Sequence, residues 1–455
     1  MSELKVISGH AGTVLVGQLA VMAFGVADTV IAGRYSDTAL AALSVGSAIY
    51  ISVYVGLIGI VQALLPIWAE LLGANKQREM GRSFRQGLYL SGFITLAGMV
   101  ALLFPAALLR WAQVPDTMMV EVQSYLTVLA FAFAPSILFR LYSTFNQSLG
   151  KPLLVTWLQV GALIVKIPLS IWLVAGGVGV EPMGVVGCAW ATLAVNYLLL
   201  VLGLVMLRKQ SLYKPFHIWQ RMERPNWLTI GNFARLGIPA GLAYLVEVTS
   251  FTLMAVFIAR LGVTASASHQ IAASLAAVLY MMPLSMAIAC SARVSFWLGA
   301  GRPGQAKRVV LLGLKLTAFI SIALTAILLI ANKSLAGFYS TNPAIVNTAS
   351  SLLVWVALYH LADSIQAVCA FLLRCYKITL APLVLYGVLL WGLGLVGGYL
   401  LAYKGLPGMA AMPSPMTFWI ASSLALWLVA ICFVTLLWHA LRKNQDTAVV
   451  TANAF

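Results

Sequence analysis

The chain has 455 residues, of which 62% are hydrophobic and 9% charged, and it carries a formal net charge of +16. Soluble domains carry about 25% charged residues, so this composition, with a mean hydropathy of +0.95, excludes a soluble protein. It predicts an all-α polytopic membrane protein, because only helices and closed barrels satisfy their backbone hydrogen bonds in lipid.

Twelve apolar segments follow one another along the chain, and each is long enough to cross a bilayer as a helix of about 20 residues. The first has no small-residue cleavage site after a short apolar core, so we expect a retained helix and not a signal peptide. The predicted spans are 11–33, 46–70, 87–110, 119–143, 153–175, 184–207, 236–260, 270–298, 309–331, 344–372, 378–403 and 415–441.

Lysine and arginine are distributed unevenly between the two sets of connections, and cytoplasmic loops are enriched in both residues. One set, which includes both termini, holds 20 of them, and the other holds 5. We therefore expect a multi-pass protein of the bacterial inner membrane with both termini in the cytoplasm. The cytoplasmic set is Lys5, Lys76, Arg78, Arg82, Arg85, Arg140, Lys151, Arg208, Lys209, Lys214, Arg221, Arg224, Arg235, Arg302, Lys307, Arg308, Arg374, Lys377, Arg442 and Lys443. The opposite set is Arg34, Arg110, Arg260, Lys333 and Lys404, and Lys166, Arg293 and Lys315 fall within spans.

The two halves of the chain resemble each other at an offset of 226 residues. Leu72-Gly73-Ala74 matches Leu298-Gly299-Ala300, and Arg34 matches Arg260. Because each half has an even number of spans, the halves are parallel repeats about an axis along the membrane normal, as in transporters with alternating access. We predict two six-helix lobes related by pseudo-two-fold symmetry: an N-lobe at 1–207, a basic cytoplasmic linker at 208–235, a C-lobe at 236–441 and a cytoplasmic tail at 442–455.

Three carboxylates, Asp28, Glu247 and Asp363, each stand alone in an apolar segment. The chain has only 12 aspartates and glutamates, and a charge at the centre of a membrane helix costs about 2.5 to 3.5 kcal/mol on insertion scales. Three acids in such positions predict that the protein binds and releases a cation.

Motifs of other function classes are missing from the sequence. The glycine-rich cytoplasmic turns contain no GxxxxGK[ST], so we expect neither ATP nor another cofactor. No HExxH, histidine cluster or GxSxG is present, so we expect no enzymatic activity. The five cysteines have no paired spacing and are expected to be packing residues.

Five stretches of this chain carry a specific resemblance: ADTVIAG around Asp28, LLGANKQREMGRSFRQG after the second span, LGIPAGLAYLVEVTSF around Glu247, HQIAASLAAVLYMMP in the eighth span and LYHLADSIQ around Asp363. At these spacings the chain resembles the multidrug and toxic compound extrusion (MATE) family, in its NorM-like branch, over residues 8 to 440. The resemblance implies a secondary active antiporter that exports amphipathic, mostly cationic drugs in exchange for Na⁺ or H⁺, with a role in antibiotic resistance.

The resemblance also implies a site in the C-lobe. It places Glu247, Asp363 and Tyr359 around the coupling cation, and the two carboxylates are the expected ligands if that cation is Na⁺. Phe and Tyr faces attract organic cations, which agrees with an implied drug path. The residues implied for drug binding are Glu247, Asp363, Gln270, Tyr280 and Phe251.

The N-lobe departs from the family pattern. Asp28 matches a position that pairs with polar residues of the fifth span, usually asparagines, but this chain has Lys166 and Ser170 there. We hypothesise that Asp28 and Lys166 form a charge pair within the membrane. Coupling would then depend mainly on Glu247 and Asp363.

Two alternatives stay open at this point. The first is a flippase for a lipid-linked saccharide on a related frame, although few cations within the spans make an anionic lipid a poor fit. The second concerns the coupling ion, because Na⁺ and H⁺ both fit a pair of carboxylates. The expected partners are the lipid bilayer, a monovalent cation and small cationic or amphipathic drugs, with no nucleic acid, and we expect a monomer.

Overall fold

The structure is a computed structural model that describes residues 2–105, 116–177, 179–405, 407–408 and 410–452. In this part of the chain twelve helices are long and apolar enough to cross a membrane, as predicted. The predicted end of the third span, 106–110 with Arg110, and the last three residues of the predicted tail lie outside the described residues. The helices are α1 Glu3–Tyr35, α2 Asp37–Gly73, α3 Gln77–Leu103, α4 Asp116–Ser148, α5 Leu153–Ala175, α6 Val185–Lys209, α7 Trp227–Ala259, α8 Val263–Gly299, α9 Pro303–Ile330, α10 Pro343–Cys375, α11 Leu380–Lys404 and α12 Pro415–Ala452.

Two of these helices depart from regular α-helical geometry. α2 is interrupted at Ala63, because Pro66 has no N–H to donate to the carbonyl of Gln62 one turn earlier. α11 contains two π-helical segments, Gly387–Val396 and Leu400–Lys404. Such wide turns occur often at functional sites, and the first of them lies close to one of the predicted carboxylates.

The internal repeat is visible in the bounds of the helices. Adding 226 to the bounds of α2, Asp37 and Gly73, gives the bounds of α8, Val263 and Gly299. The same shift takes the first residue of α3 to the first residue of α9. The offset read from the sequence therefore relates whole helices as well as short motifs.

The residues cluster into two compact units, whose limits differ from those of the predicted lobes. The N-terminal unit is Val16–Gly241, and the C-terminal unit combines Met1–Leu15 with Leu242–Phe455. The divisions lie inside α1 and α7, at positions that are again 226 residues apart. Each of these two helices therefore contributes residues to both units.

An ion pair explains why the first residues of α1 group with the C-terminal unit. The Nε and Nη2 atoms of Arg293 on α8 donate to the two carboxylate oxygens of Glu3 at 2.7 and 2.6 Å. The indole of Trp297 also donates to Glu3, at 3.3 Å. This bidentate contact joins residues that are 290 positions apart in the sequence, and the compact unit of the N-terminal half begins at Val16.

The connection between α6 and α7 is shorter than the predicted linker, because α6 continues to Lys209 and α7 begins at Trp227. The connection is attached to α3. Arg85 donates from Nε and Nη2 to the carboxylate of Glu223, at 2.9 and 2.5 Å, and from Nη1 to the carbonyl of His217 at 2.7 Å. The predicted linker is thus an ordered part of the N-terminal unit.

We expect this attachment to depend on pH. Hydrogen bonds from Arg85 hold the pKa of Glu223 below its ordinary value of 4.5. A carboxyl with a lowered pKa stabilises the folded form above its ordinary pKa, and this contribution is lost as the pH falls through the lowered value. Glu223→Gln should therefore speed hydrogen exchange in residues 210–226 at pH 7 by roughly fivefold to tenfold, as expected for losing a charged hydrogen bond at a partly exposed site.

The wild-type protein should show the same faster exchange, after correction for intrinsic rates, only when the pH falls below 4.5. Glu79→Gln is the matched control, because Glu79 pairs with Lys76 at 3.3 Å with both side chains more than half exposed. Equal exchange rates in the wild-type protein and Glu223→Gln at pH 7 would show that this ion pair does not hold the linker.

Candidate functional site

One amide joins two of the predicted carboxylates in the C-terminal unit. Gln366 Nε2 donates to Glu247 Oε1 at 3.1 Å and to Asp363 Oδ1 at 2.8 Å. Glu247 lies on α7, and Asp363 and Gln366 lie on α10. Gln366 is fully buried and Asp363 is 4% exposed. The structure therefore brings together two acids that are 116 residues apart, around a glutamine that was not among the predicted site residues.

The orientation of this amide is set by α11. The hydroxyl of Tyr386 donates to Gln366 Oε1, so the NH₂ group of the amide faces the carboxylates. Tyr386 is the last residue before the π-helical segment Gly387–Val396. Sequence spacing could have identified Gln366, because residues three apart share a helix face, but nothing in the sequence connects it with Tyr386.

The same π-helical segment packs against α7 on both sides of Glu247. Trp391 Nε1 donates to the carbonyl of Val246 at 3.2 Å. Ser250 Oγ donates to the carbonyl of Leu390 at 3.4 Å. These two contacts fix the position of the α7 backbone that carries the carboxylate.

Aromatic rings lie one helical turn from the carboxylates. Phe251 follows Glu247 by four residues, and Tyr359 precedes Asp363 by four. The two rings meet edge to face with centroids 6.1 Å apart, and both contact Trp419, at 5.7 and 5.6 Å. Trp419 lies on α12 and was not predicted, since only the packing of helices brings it to this position. Aromatic faces next to carboxylates can attract a cation that carries apolar groups.

The structure separates the two residues predicted on α8. Tyr280 lies within electrostatic range of both Glu247 and Asp363. Gln270 is exposed and lines a surface cavity of about 290 Å³ together with Ser274 and other residues. No contact of the described residues joins the Gln270 side chain to the carboxylates, so its part in drug binding stays a prediction.

The predicted charge pair of the N-terminal unit is formed. Lys166 Nζ lies 2.8 Å from Asp28 Oδ2 and also donates to Thr192 Oγ1 at 2.6 Å. Ser170 Oγ donates to Asp28 Oδ1 at 3.3 Å. The centroid of the Phe24 ring lies 5.7 Å from the ammonium group. The lysine therefore has an ion pair, a hydrogen bond and an aromatic ring close to its charge. The sequence could not predict that Thr192 on α6 contacts Lys166, because an isolated threonine is common in membrane helices.

Comparison with known proteins matches this chain to one family of proteins over most of its length. The MatE family model matches residues 14–172 and 239–400. The probable multidrug resistance protein NorM of Aromatoleum aromaticum is 36% identical over 96% of this chain and 94% of that protein. Multidrug resistance protein PmpM of Pseudomonas aeruginosa is 31% identical over 88% of this chain and 84% of that protein.

Solved structures share the fold at much lower identity. The eukaryotic MATE transporter AtDTX14 matches with a TM-score of 0.85 at 19% identity, over 98% of this chain and 99% of that chain. The MATE transporter VcmN of Vibrio cholerae in its bent form matches with a TM-score of 0.84 at 16% identity, over 97% of this chain and 98% of that chain. The twelve-helix arrangement is therefore shared by proteins whose sequences have diverged widely.

Proposed function

This chain belongs to the MatE family and is a multidrug efflux transporter, and we propose that it exports amphipathic, mostly cationic drugs in exchange for Na⁺ or H⁺. The observation that carries the proposal is the sharing of one buried amide by Glu247 and Asp363. The names of the curated relatives support drug export rather than the flippase alternative.

The physical basis of exchange is competition for this negative charge. Two carboxylates held around one amide repel each other unless a cation lies with them. A proton, a sodium ion or the cationic group of a drug each relieves that repulsion, so binding of the ion weakens binding of the drug. One charge that moves down a membrane potential of 100 mV releases about 2.3 kcal/mol, which is available to drive drug export.

The residues of the site fit both kinds of cation. Carboxylate oxygens are the hard ligands that a small metal cation prefers. The rings of Phe251, Tyr359 and Trp419 fit an organic cation, because they offer apolar contact and electron-rich faces. We therefore place the ion at the two acids and the apolar part of the drug against the adjacent aromatic side chains.

Asp28 has a different role in this proposal. Lys166 already compensates its charge at 2.8 Å, so Asp28 does not need a transported cation. We propose that the N-terminal unit contributes a fixed ion pair and that coupling depends on Glu247 and Asp363.

The proposal also covers the membrane location, the oligomeric state and the energy source of the transporter. The excess of lysine and arginine in one set of connections supports a place in the bacterial inner membrane with both termini in the cytoplasm. We propose that the protein works as a monomer without ATP or another cofactor, and that the ion gradient supplies all of the energy.

Proteoliposomes test the proposal directly. We expect a fluorescent cationic dye to move against its gradient when either a sodium gradient or a pH gradient is imposed across the membrane, and the effective gradient identifies the ion. Transport should rise at least severalfold over liposomes that contain Glu247→Gln. Equal dye movement with and without both gradients would contradict antiport.

A further inference from the structure

A buried arginine lies beside the two carboxylates of the C-terminal unit. Arg374 is in the last turn of α10 and is only 6% exposed. Arginine stays charged in proteins, so a full positive charge is held away from water at this position. A charge of this kind is costly unless other groups compensate it, and the groups around it show what it compensates in turn.

Two aromatic rings hold the guanidinium of Arg374. Its central carbon lies 4.3 Å from the centroid of the Phe371 ring and 4.9 Å from that of the Tyr244 ring. Its Nη1 atom is buried without a hydrogen-bond partner among the described residues. Arg374 also takes part in none of the ion pairs found in the described part of the chain. The rings lower the cost of burying the cation, but they leave its charge in place.

The geometry of two helices directs this charge towards the carboxylates. On α10, Arg374 follows Asp363 by eleven residues, which is about three helical turns, so both lie on one face of the helix. Helical side chains lean towards the N-terminus, so the side chain of Arg374 leans towards Asp363. On α7, Tyr244 precedes Glu247 by three residues, close to one turn. The guanidinium is accordingly within electrostatic range of the Glu247 carboxylate.

The two units differ in how far their built-in charges compensate each other. In the N-terminal unit Lys166 pairs with Asp28, so one cation faces one acid. In the C-terminal unit Glu247 and Asp363 carry two negative charges when both are ionised, and Arg374 compensates one of them. No other basic side chain in the described part of the chain lies within electrostatic range of either acid. The C-terminal site therefore keeps one negative charge, which a single positive charge neutralises.

We propose that Arg374 sets the charge of the cation that this site takes, so that the transporter selects monovalent ions and monocationic drugs over dications. The arginine acts through its field and touches no ligand. Its repulsion applies once to a monocation and twice to a dication. This inference rests on the proposed function and specifies its substrate class. If Arg374 only stabilises the C-terminal end of α10 through the helix dipole, its removal will not distinguish ligands by charge.

A pair of related dyes tests the inference. Ethidium and propidium share one cationic ring system, and propidium carries a second, quaternary ammonium group on its side chain. Binding of each dye to the full-length protein is measured by fluorescence anisotropy in nanodiscs of zwitterionic lipid. The measurement is made at about pH 8.5, where protons compete weakly for the acids. Efflux of ethidium from proteoliposomes is measured alongside.

Three variants separate charge from structure. Arg374→Gln removes the charge and keeps a polar side chain, and Arg374→Lys keeps the charge. Arg302→Gln is the matched control, because Arg302 also lies over an aromatic ring, that of Trp297 at 5.7 Å, in the same unit. Arg302 is exposed, so water screens its charge.

We expect the wild-type protein to bind ethidium about tenfold or more tightly than propidium. In Arg374→Gln this preference should fall by about tenfold, because propidium loses the repulsion twice and ethidium once. Both dyes should bind this variant at least as tightly as they bind the wild-type protein, which also shows that it is folded. Arg374→Lys and Arg302→Gln should keep the wild-type preference within about threefold.

Equal binding of the two dyes by the wild-type protein would overturn the inference without any variant. An unchanged preference in Arg374→Gln would overturn it as well. Loss of ethidium binding in that variant would also contradict it, because removal of a repulsive charge should strengthen the binding of a cation. If the wild-type protein neither binds nor exports ethidium, the proposed function itself fails.

Discussion

Glu247→Gln and Asp363→Asn are each expected to abolish coupled drug efflux. Each substitution keeps the size of the side chain but removes the charge for which, in the proposed mechanism, the ion and the drug compete. We expect the rate of dye efflux in proteoliposomes to fall at least tenfold, which corresponds to about 1.4 kcal/mol or more of lost interaction. Drug resistance in an efflux-deficient host should fall to the level without the transporter.

Gln366→Ala should have a smaller effect, because it removes the shared donor but leaves both acids. Gln366 donates to both acids, and a loss of about threefold to tenfold in efflux rate is expected if this shared donor contributes a net free energy of about 1 kcal/mol. Glu79→Gln is the control for Glu247→Gln, since it makes the same chemical change at an exposed ion pair. Full resistance in both Glu247→Gln and Asp363→Asn would show that this site does not couple transport.

Lys166→Met is expected to destabilise the protein strongly. Removal of one partner from a buried ion pair leaves an uncompensated charge and costs about 3 to 5 kcal/mol. For a unit of this size, this corresponds to a fall in Tm of roughly 6 to 20 °C. Thermal unfolding of the purified protein in detergent measures the change, and Asp28→Asn should have an effect of similar direction.

The double variant with Asp28→Asn and Lys166→Met should be more stable than the Lys166→Met protein, because no unpaired charge remains. Lys76→Met is the control: its pair with Glu79 is exposed, and exposed pairs contribute about 1 kcal/mol or less. Purely additive losses in the double variant would show that the two charges do not interact. A Lys166→Asn variant with unchanged transport and pH dependence would remove Lys166 from the transport mechanism.

The sequence predicted the helical architecture well because a bilayer imposes simple rules. Length and hydropathy identify the spans, since a helix needs about 20 apolar residues to cross the hydrocarbon core. The offset of 226 residues also predicted which helices correspond, as the bounds of α2 and α8 show. Helix ends were less predictable, because helices such as α4, which continues to Ser148, extend beyond their apolar part.

The candidate site was predictable only in part. Charges alone in apolar segments drew attention to Asp28, Glu247, Asp363 and Lys166, and the structure joins the first and the last of these at 2.8 Å. Spacing from Asp363 could have pointed to Gln366, but its bridge to Glu247, its support by Tyr386 and the position of Trp419 could not be predicted. Each depends on contacts between helices that are distant in sequence, and polar or aromatic residues are too common in such helices to be informative alone.

Local composition and the cost of burying charge are enough to specify the number of spans, the repeat and the residues that carry charge into the membrane. Helix packing sets which of these charges meet. It gives Asp28 a lysine partner and places Glu247 and Asp363 around one amide. These outcomes depend on helix packing, in which a rotation or shift by a single residue changes every partner of a side chain.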